Sequence, residues 1–168
     1  MREFSELLQF VDECLPRRPD GMPDTEHEKS DVVHDLLAYL AEQMIEMNKE
    51  KQAEARGFVT WLERQIGAKV DDLANKTKLR AYFEHDIGTL LDVLRQNSNK
   101  LEKKIARAME EDIEREFRRS MDKLAPLLDK IAATDRLIDL IVYKLYGLTD
   151  EEAAMVEGAT ETRRKDDG

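Results

Sequence analysis

The chain has 168 residues, 41% hydrophobic, 38% charged and 6% aromatic, with a net charge of −10 at pH 7. Seven glycines and four prolines are too few to punctuate a β-sandwich, and an acidic balance argues against a self-sufficient duplex-binding domain, which needs cations to neutralise phosphates. One cysteine, Cys14, excludes an internal disulfide, and no run of about 18 apolar residues exists to form a transmembrane helix. What remains is an all-α fold, an elongated helical bundle of long amphipathic helices. The opening MREFSELLQF has no basic start before an apolar core, so it does not read as a secretory signal and a cytoplasmic location is expected.

Phe4, Leu7, Leu8, Val11 and Leu15 line one side of a first helix over residues 1–15. Residues 16–30 hold Pro16, Pro19, Gly21 and Pro23, which break every periodicity, so a linker is expected there and the first helix stands apart from the bundle domain at 31–158. Within that domain, Val33, Leu37, Leu40, Met44 and Met47 recur at alternating steps of four and three, the seam of a coiled coil over about two heptads. The register continues through Lys51 and Glu54 before Phe58 and Trp61 restore it. A helix over Asp31–Ile66 that leaves the core in its middle would show this interval, and so would a bend near Gly57.

Lys69–Tyr82 has weak periodicity and is expected as two short helices with an irregular joint, where Asn75 or Thr77 can turn the chain. Ile87, Leu90, Leu91 and Leu94 mark a short amphipathic helix that the polar run 96–99 ends. Leu101, Ile105, Met109, Ile113, Phe117, Met121 and Leu124 predict a long helix over Leu101–Ala125, with a kink or restart at Pro126. Beyond it, Leu137, Ile138, Ile141, Val142 and Leu145 form a wide apolar face, Gly147 sits where a left-handed cap belongs, and Thr149 with Glu152 makes a capping box. This capped C-terminal unit is expected to pack on the Leu101–Ala125 helix and the Val32–Met47 seam. The polar tail 159–168 is expected to be disordered.

No catalytic, cofactor or metal site is expected. The chain has no G-x-G loop and no two adjacent prolines, which removes both the cofactor cradle and the base clamp of an adenine methyltransferase. Pro23-Asp24 and Glu102-Lys103-Lys104 spell a nuclease-like pattern, but so charged a helix produces such triplets by composition. His34 reads as a surface residue near a helix start and Cys14 as a small core side chain. Phe58, Trp61 and Leu62 read as core. The candidate binding residues are basic: Lys100, Lys103, Lys104 and Arg107, continued by Arg115, Arg118, Arg119 and Lys123, with Lys76, Lys78 and Arg80 upstream. They could track a phosphate backbone, or form half of a salt-bridged solvated face with Glu102, Glu110, Glu111, Glu114 and Glu116.

Thr134–Gly158, TDRLIDLIVYKLYGLTDEEAAMVEG, resembles the C-terminal close of type IIG restriction–modification enzymes and related adenine-specific (N6) DNA methyltransferases, in the words VYKLYGLT, EE and VEG. DVVHDLLAYLAEQMIEMNKEKQAE followed by GFVTWLERQIGA is similar to the helical region of the same enzymes, so the resemblance covers Asp31–Gly158. It implies a non-catalytic helical scaffold whose partners are the methyltransferase and target-recognition domains of a parent enzyme, which reaches DNA only indirectly and no membrane. The family's catalytic residues have no counterparts here. The alternative is an independent helical adaptor or a coiled-coil homodimer with no DNA role, and the two-heptad seam leaves it open.

Overall fold

The computed structural model describes residues 2–149 and 151–158, and among them the fold is all-α, with no strand and a single isolated bridge between Arg17 and Pro23. Five helices follow in order: α1 (Arg2–Cys14), α2 (Ser30–Ile66), α3 (Lys76–Arg80), α4 (Ile87–Gln96) and α5 (Arg107–Leu145). Single 3-10 turns lie at Val70–Asp72, Tyr82–Glu84 and Ser98–Lys100, and residues 151–158 are helical. The chain forms two compact units, one from Met1–Ile45 with Ala132–Gly168, the other from Glu46–Ile131. The division falls inside α2 and inside α5, where no residue from 41 to 54 or from 125 to 136 is buried. The polar interval of the seam is thus a helix passing from one core to the next. Gly57 does not interrupt α2, because it faces open space and nothing requires the helix to turn there.

In the unit Glu46–Ile131, an aromatic cluster holds the core. Phe58 and Tyr82 lie with ring centroids 4.1 Å apart, and Phe117 meets both edge-on at 6.3 and 5.9 Å. Leu62, Ile66, Leu79, Leu94, Ile113 and Leu124 close around them. The cluster contains one polar contact, between the hydroxyls of Tyr82 and Ser120 at 2.5 Å, which satisfies both in a dry site. Burial pushes the Tyr82 phenol up to about 12, against the smaller opposing effect of the Ser120 hydrogen bond. The expected Leu101–Ala125 helix starts later, at Arg107, and continues through Pro126 to Leu145. Pro126 is tolerated because Asp122, whose carbonyl loses its usual donor, and Pro126 itself are on the solvent side, where water can serve that oxygen.

In the other unit, Val11, Cys14, Val33, Leu40, Leu137 and Ile141 are buried together, with Leu7, Leu8, Leu36 and Leu37 packed against them. The C-terminal part of α5 therefore packs on α1 and the start of α2. It cannot pack on the Leu101–Ala125 segment as expected, since both belong to one continuous helix. Residues 16–30, expected as a linker, are tied down. Lys29 N–H donates to the Cys14 carbonyl at 2.7 Å, Asp24 N–H to Pro16 at 2.9 Å and Arg18 N–H to Met22 at 2.8 Å. Arg17 donates to the carbonyls of Gly21, Gly147 and Leu148 at 2.9, 3.1 and 3.3 Å. The first helix is thus part of a core. α5 ends as read from the sequence: Gly147 has φ +71°, its N–H donates to Lys144, and Leu148 N–H donates to Tyr143, a Schellman closure. Glu152 accepts from Thr149 N–H at 2.8 Å and Thr149 Oγ1 from Glu152 N–H at 3.3 Å, completing the capping box. The tail 159–168 lies outside the described residues.

Candidate phosphate-contacting surface

The seven candidate basic residues from Lys100 to Arg119 all belong to the unit Glu46–Ile131, but to two different structures within it. Arg107, Arg115, Arg118 and Arg119 lie on α5, away from the side that buries Ile113, Phe117, Ser120 and Leu124. Each is matched by a carboxylate about one turn away. Arg107 Nε meets Glu111 at 3.0 Å, Arg118 meets Glu114 at 3.8 Å, Arg119 meets Glu116 at 3.7 Å, and Arg115 pairs with Asp112. Exposed pairs of this kind add little stability, but they cancel the field that a phosphate would need. Of the upstream cations, Arg80 lies 2.6 Å and Lys76 4.0 Å from Asp71, whereas Lys78 is exposed and has no ion pair among the described residues.

Lys100, Lys103 and Lys104 are not on a helix. Lys100 ends a 3-10 turn, and residues 101–106 form an irregular strap that leads into α5. The strap is irregular because it is bonded across to the end of α2. Lys103 N–H donates to the Ile66 carbonyl at 3.3 Å and its ammonium to the Arg64 carbonyl at 3.2 Å. Lys100 donates to the Asp72 carbonyl at 3.0 Å. Helix-end carbonyls have no partner within the helix and favour cations, so Lys103 closes α2 as a C-terminal cap. The closure needs Gly67, with φ +67°, because a Cβ there would stand 2.8 Å from the Cβ of Glu102 on the strap. Lys104 makes no ion pair or hydrogen bond among the described residues and is exposed.

The other end of the strap is held by Asn97, which is buried. Its Oδ1 accepts from Ala74 N–H at 2.8 Å, and its Nδ2 donates to the carbonyls of Ala74 and Val93 at 3.1 and 2.8 Å. At the opposite, N-terminal end of α4, Asp86 caps the helix by accepting from Thr89 N–H at 2.7 Å, and that hydrogen bond holds its carboxyl below the usual carboxylate range. Glu63 accepts from Val70 N–H and from Lys69, each at 2.9 Å. Partial burial works to raise its carboxyl, but the two donors outweigh it and hold it low. A groove of about 470 Å³ opens between the end of α4 and the strap, lined by Arg95, Ser98, Asn99, Lys103 and Lys104.

Sequence reasoning missed Asn97, Glu63 and the Tyr82–Ser120 pair. Asn97 and the Tyr82–Ser120 pair act through contacts 23 and 38 residues apart, Glu63 through Lys69 and Val70 across the end of α2, and only the polarity of Asn97 at a helix end gave a local signal. The nuclease-like letters carry no constellation. Asp24 accepts from Glu26 N–H and pairs with His27, while Lys103 serves α2. Among the described residues no His, Cys, Asp or Glu side chains gather in threes as metal ligands, and no helix is long and apolar enough to cross a membrane. His34 is exposed and Cys14 buried.

A family model described as a domain of unknown function, DUF8810, matches residues 30–142. The chain belongs to the DUF8810 family. The DUF8810 match runs from the start of α2 almost to the end of α5 and so includes Asn97, Gly67 and the whole strap. No curated protein and no solved structure is found to match.

Proposed function

We propose that this chain is a non-catalytic helical scaffold of a DNA restriction–modification methyltransferase, binding the methyltransferase and target-recognition domains of that enzyme and meeting DNA only beside them. The observation that carries the reading is the resemblance of Thr134–Gly158, and of the α2 segment, to the helical close of those enzymes. The chemistry of the surface supports it: most of the candidate cations are spent on carboxylates and helix-end carbonyls, as in a part built to hold shape. Tyr39 and Ile45, 57% and 58% exposed on α2, favour the second reading, a helical adaptor or coiled-coil homodimer, because exposed apolar side chains gain from a partner that covers them.

Light scattering and co-purification separate the two. The scaffold reading expects a complex with the methyltransferase and recognition domains of a type IIG enzyme, and no transfer of label from S-adenosylmethionine to DNA by this chain alone. A stable homodimer that ignores those domains supports the adaptor, and reproducible methyl transfer by the chain overturns both.

A further inference from the structure

We infer that, of the stripe from Lys100 to Arg119, the groove between the end of α4 and the strap, centred on Lys104, is where this chain grips a nucleic-acid phosphate backbone, and that the arginine face of α5 is not. This deepens the DNA side of the scaffold reading and rests on it. Internal pairing leaves charge over on this stretch. In an acidic chain, residues 95–107 carry five cations, Arg95, Lys100, Lys103, Lys104 and Arg107, against one carboxylate, Glu102. Arg107 and Arg95 are matched by outside acids, Glu111 for the first, Glu110 at 2.7 Å and Asp92 at 3.1 Å for the second.

The three lysines are different. Lys103, in the groove, and Lys100, in the neighbouring cavity beside Asp72, donate to neutral carbonyls, so they are oriented without losing their charge, and each retains N–H groups for another acceptor. Lys104 has no partner at all among the described residues. Ser98 and Asn99, exposed in the same groove, make no side-chain hydrogen bond among the described residues and supply neutral donors of the kind that phosphate oxygens accept. The groove is also held in place: Asn97 fixes its near end and the Lys103–Ile66 bond its far end, so the donors are pre-positioned. On α5, each guanidinium would have to abandon a carboxylate first, and that carboxylate would remain beside the phosphate.

The test is fluorescence anisotropy of the full chain with a mixed-sequence duplex at low salt, comparing Lys104→Gln with Arg118→Gln. Both remove one exposed cation, and neither side chain holds the core. Lys104→Gln should weaken binding severalfold and lower the slope of log affinity against log salt by about 0.9, the value of one phosphate contact. Lys104→Arg should retain binding, and Arg118→Gln should change neither quantity. Equal losses in the two Gln variants, no effect of Lys104→Gln, or no measurable binding at any salt overturns the inference. So does self-association that depends on Lys104, which would make the groove a seat for the acidic surface of a second copy. Because complex formation with the methyltransferase domains is measured separately, these outcomes leave the scaffold reading standing or falling on its own test.

Discussion

The units Glu46–Ile131 and Met1–Ile45 with Ala132–Gly168 use the same two long helices to build different interiors. Among the described residues, fifteen hydrophobic residues are buried in the first, which contains all the close aromatic pairs and the buried polar contacts of Asn97 and Tyr82, while six, all aliphatic or cysteine, are buried in the second. The second relies instead on backbone closure: the Schellman turn at Gly147, the Arg17 bonds to it, and the Lys144–Asp12 pair at 2.6 Å. A helix alone does not fix its local stability; what it packs on does. The same α2 should therefore be held tightly in one half and loosely in the other.

Truncating each core tests that difference with the largest expected effects. Phe58→Ala removes the ring that touches Tyr82, Phe117 and Trp61, and should cost about 3–5 kcal/mol in denaturant unfolding followed by Trp61 fluorescence. Ile141→Ala should cost about 2–5 kcal/mol, seen as early loss of helical circular dichroism while the Trp61 transition stays in place. Coincident shifts in both probes for both variants would show one cooperative core.

Tyr82 gives the aromatic core a phenol pH signature that the other core lacks. Its phenol is raised from 10.0 to about 12, so the neutral form is favoured in the folded state. The resulting stability is fully present below pH 10 and is lost as the pH rises through about 12, an amount of roughly 3 kcal/mol for two units. Lysines titrate in the same window, so the comparison with Tyr82→Phe isolates the term: the variant should lose less stability between pH 10 and 12 than the parent chain. Parallel pH curves would mean that the ring reaches solvent. The smallest effect is a gain. Gly57 is helical and faces open space, so Gly57→Ala should stabilise the aromatic unit by up to about 1 kcal/mol, read as a raised unfolding midpoint.

The fold class and the two helix caps near the C-terminus were legible in the sequence because they are local: apolar spacing, Gly147, Thr149 and Glu152 lie within a few residues of what they act on. The polar interval at Lys51 and Glu54 was also legible, though its meaning, a passage between two cores, needed both long helices in view. The start of α5 was not. Leu101 and Ile105 keep helical spacing, yet the strap trades its own helical bonds for those to Ile66 and Arg64, more than thirty residues away. That trade is also what divides the basic residues. A stripe of seven reads as one surface in sequence, whereas in the fold four guanidiniums are neutralised on a helix, and the three lysines lie on the strap and the 3-10 turn before it.

The comparison of the two units is tested most directly by hydrogen exchange resolved along α2 and α5. Residues 55–66 and 113–124, which contribute to the aromatic core, should be protected at least about tenfold more than residues 33–45 and 134–145 of the same helices, a difference of about 1.4 kcal/mol in opening free energy. Uniform protection from end to end of each helix would contradict the account.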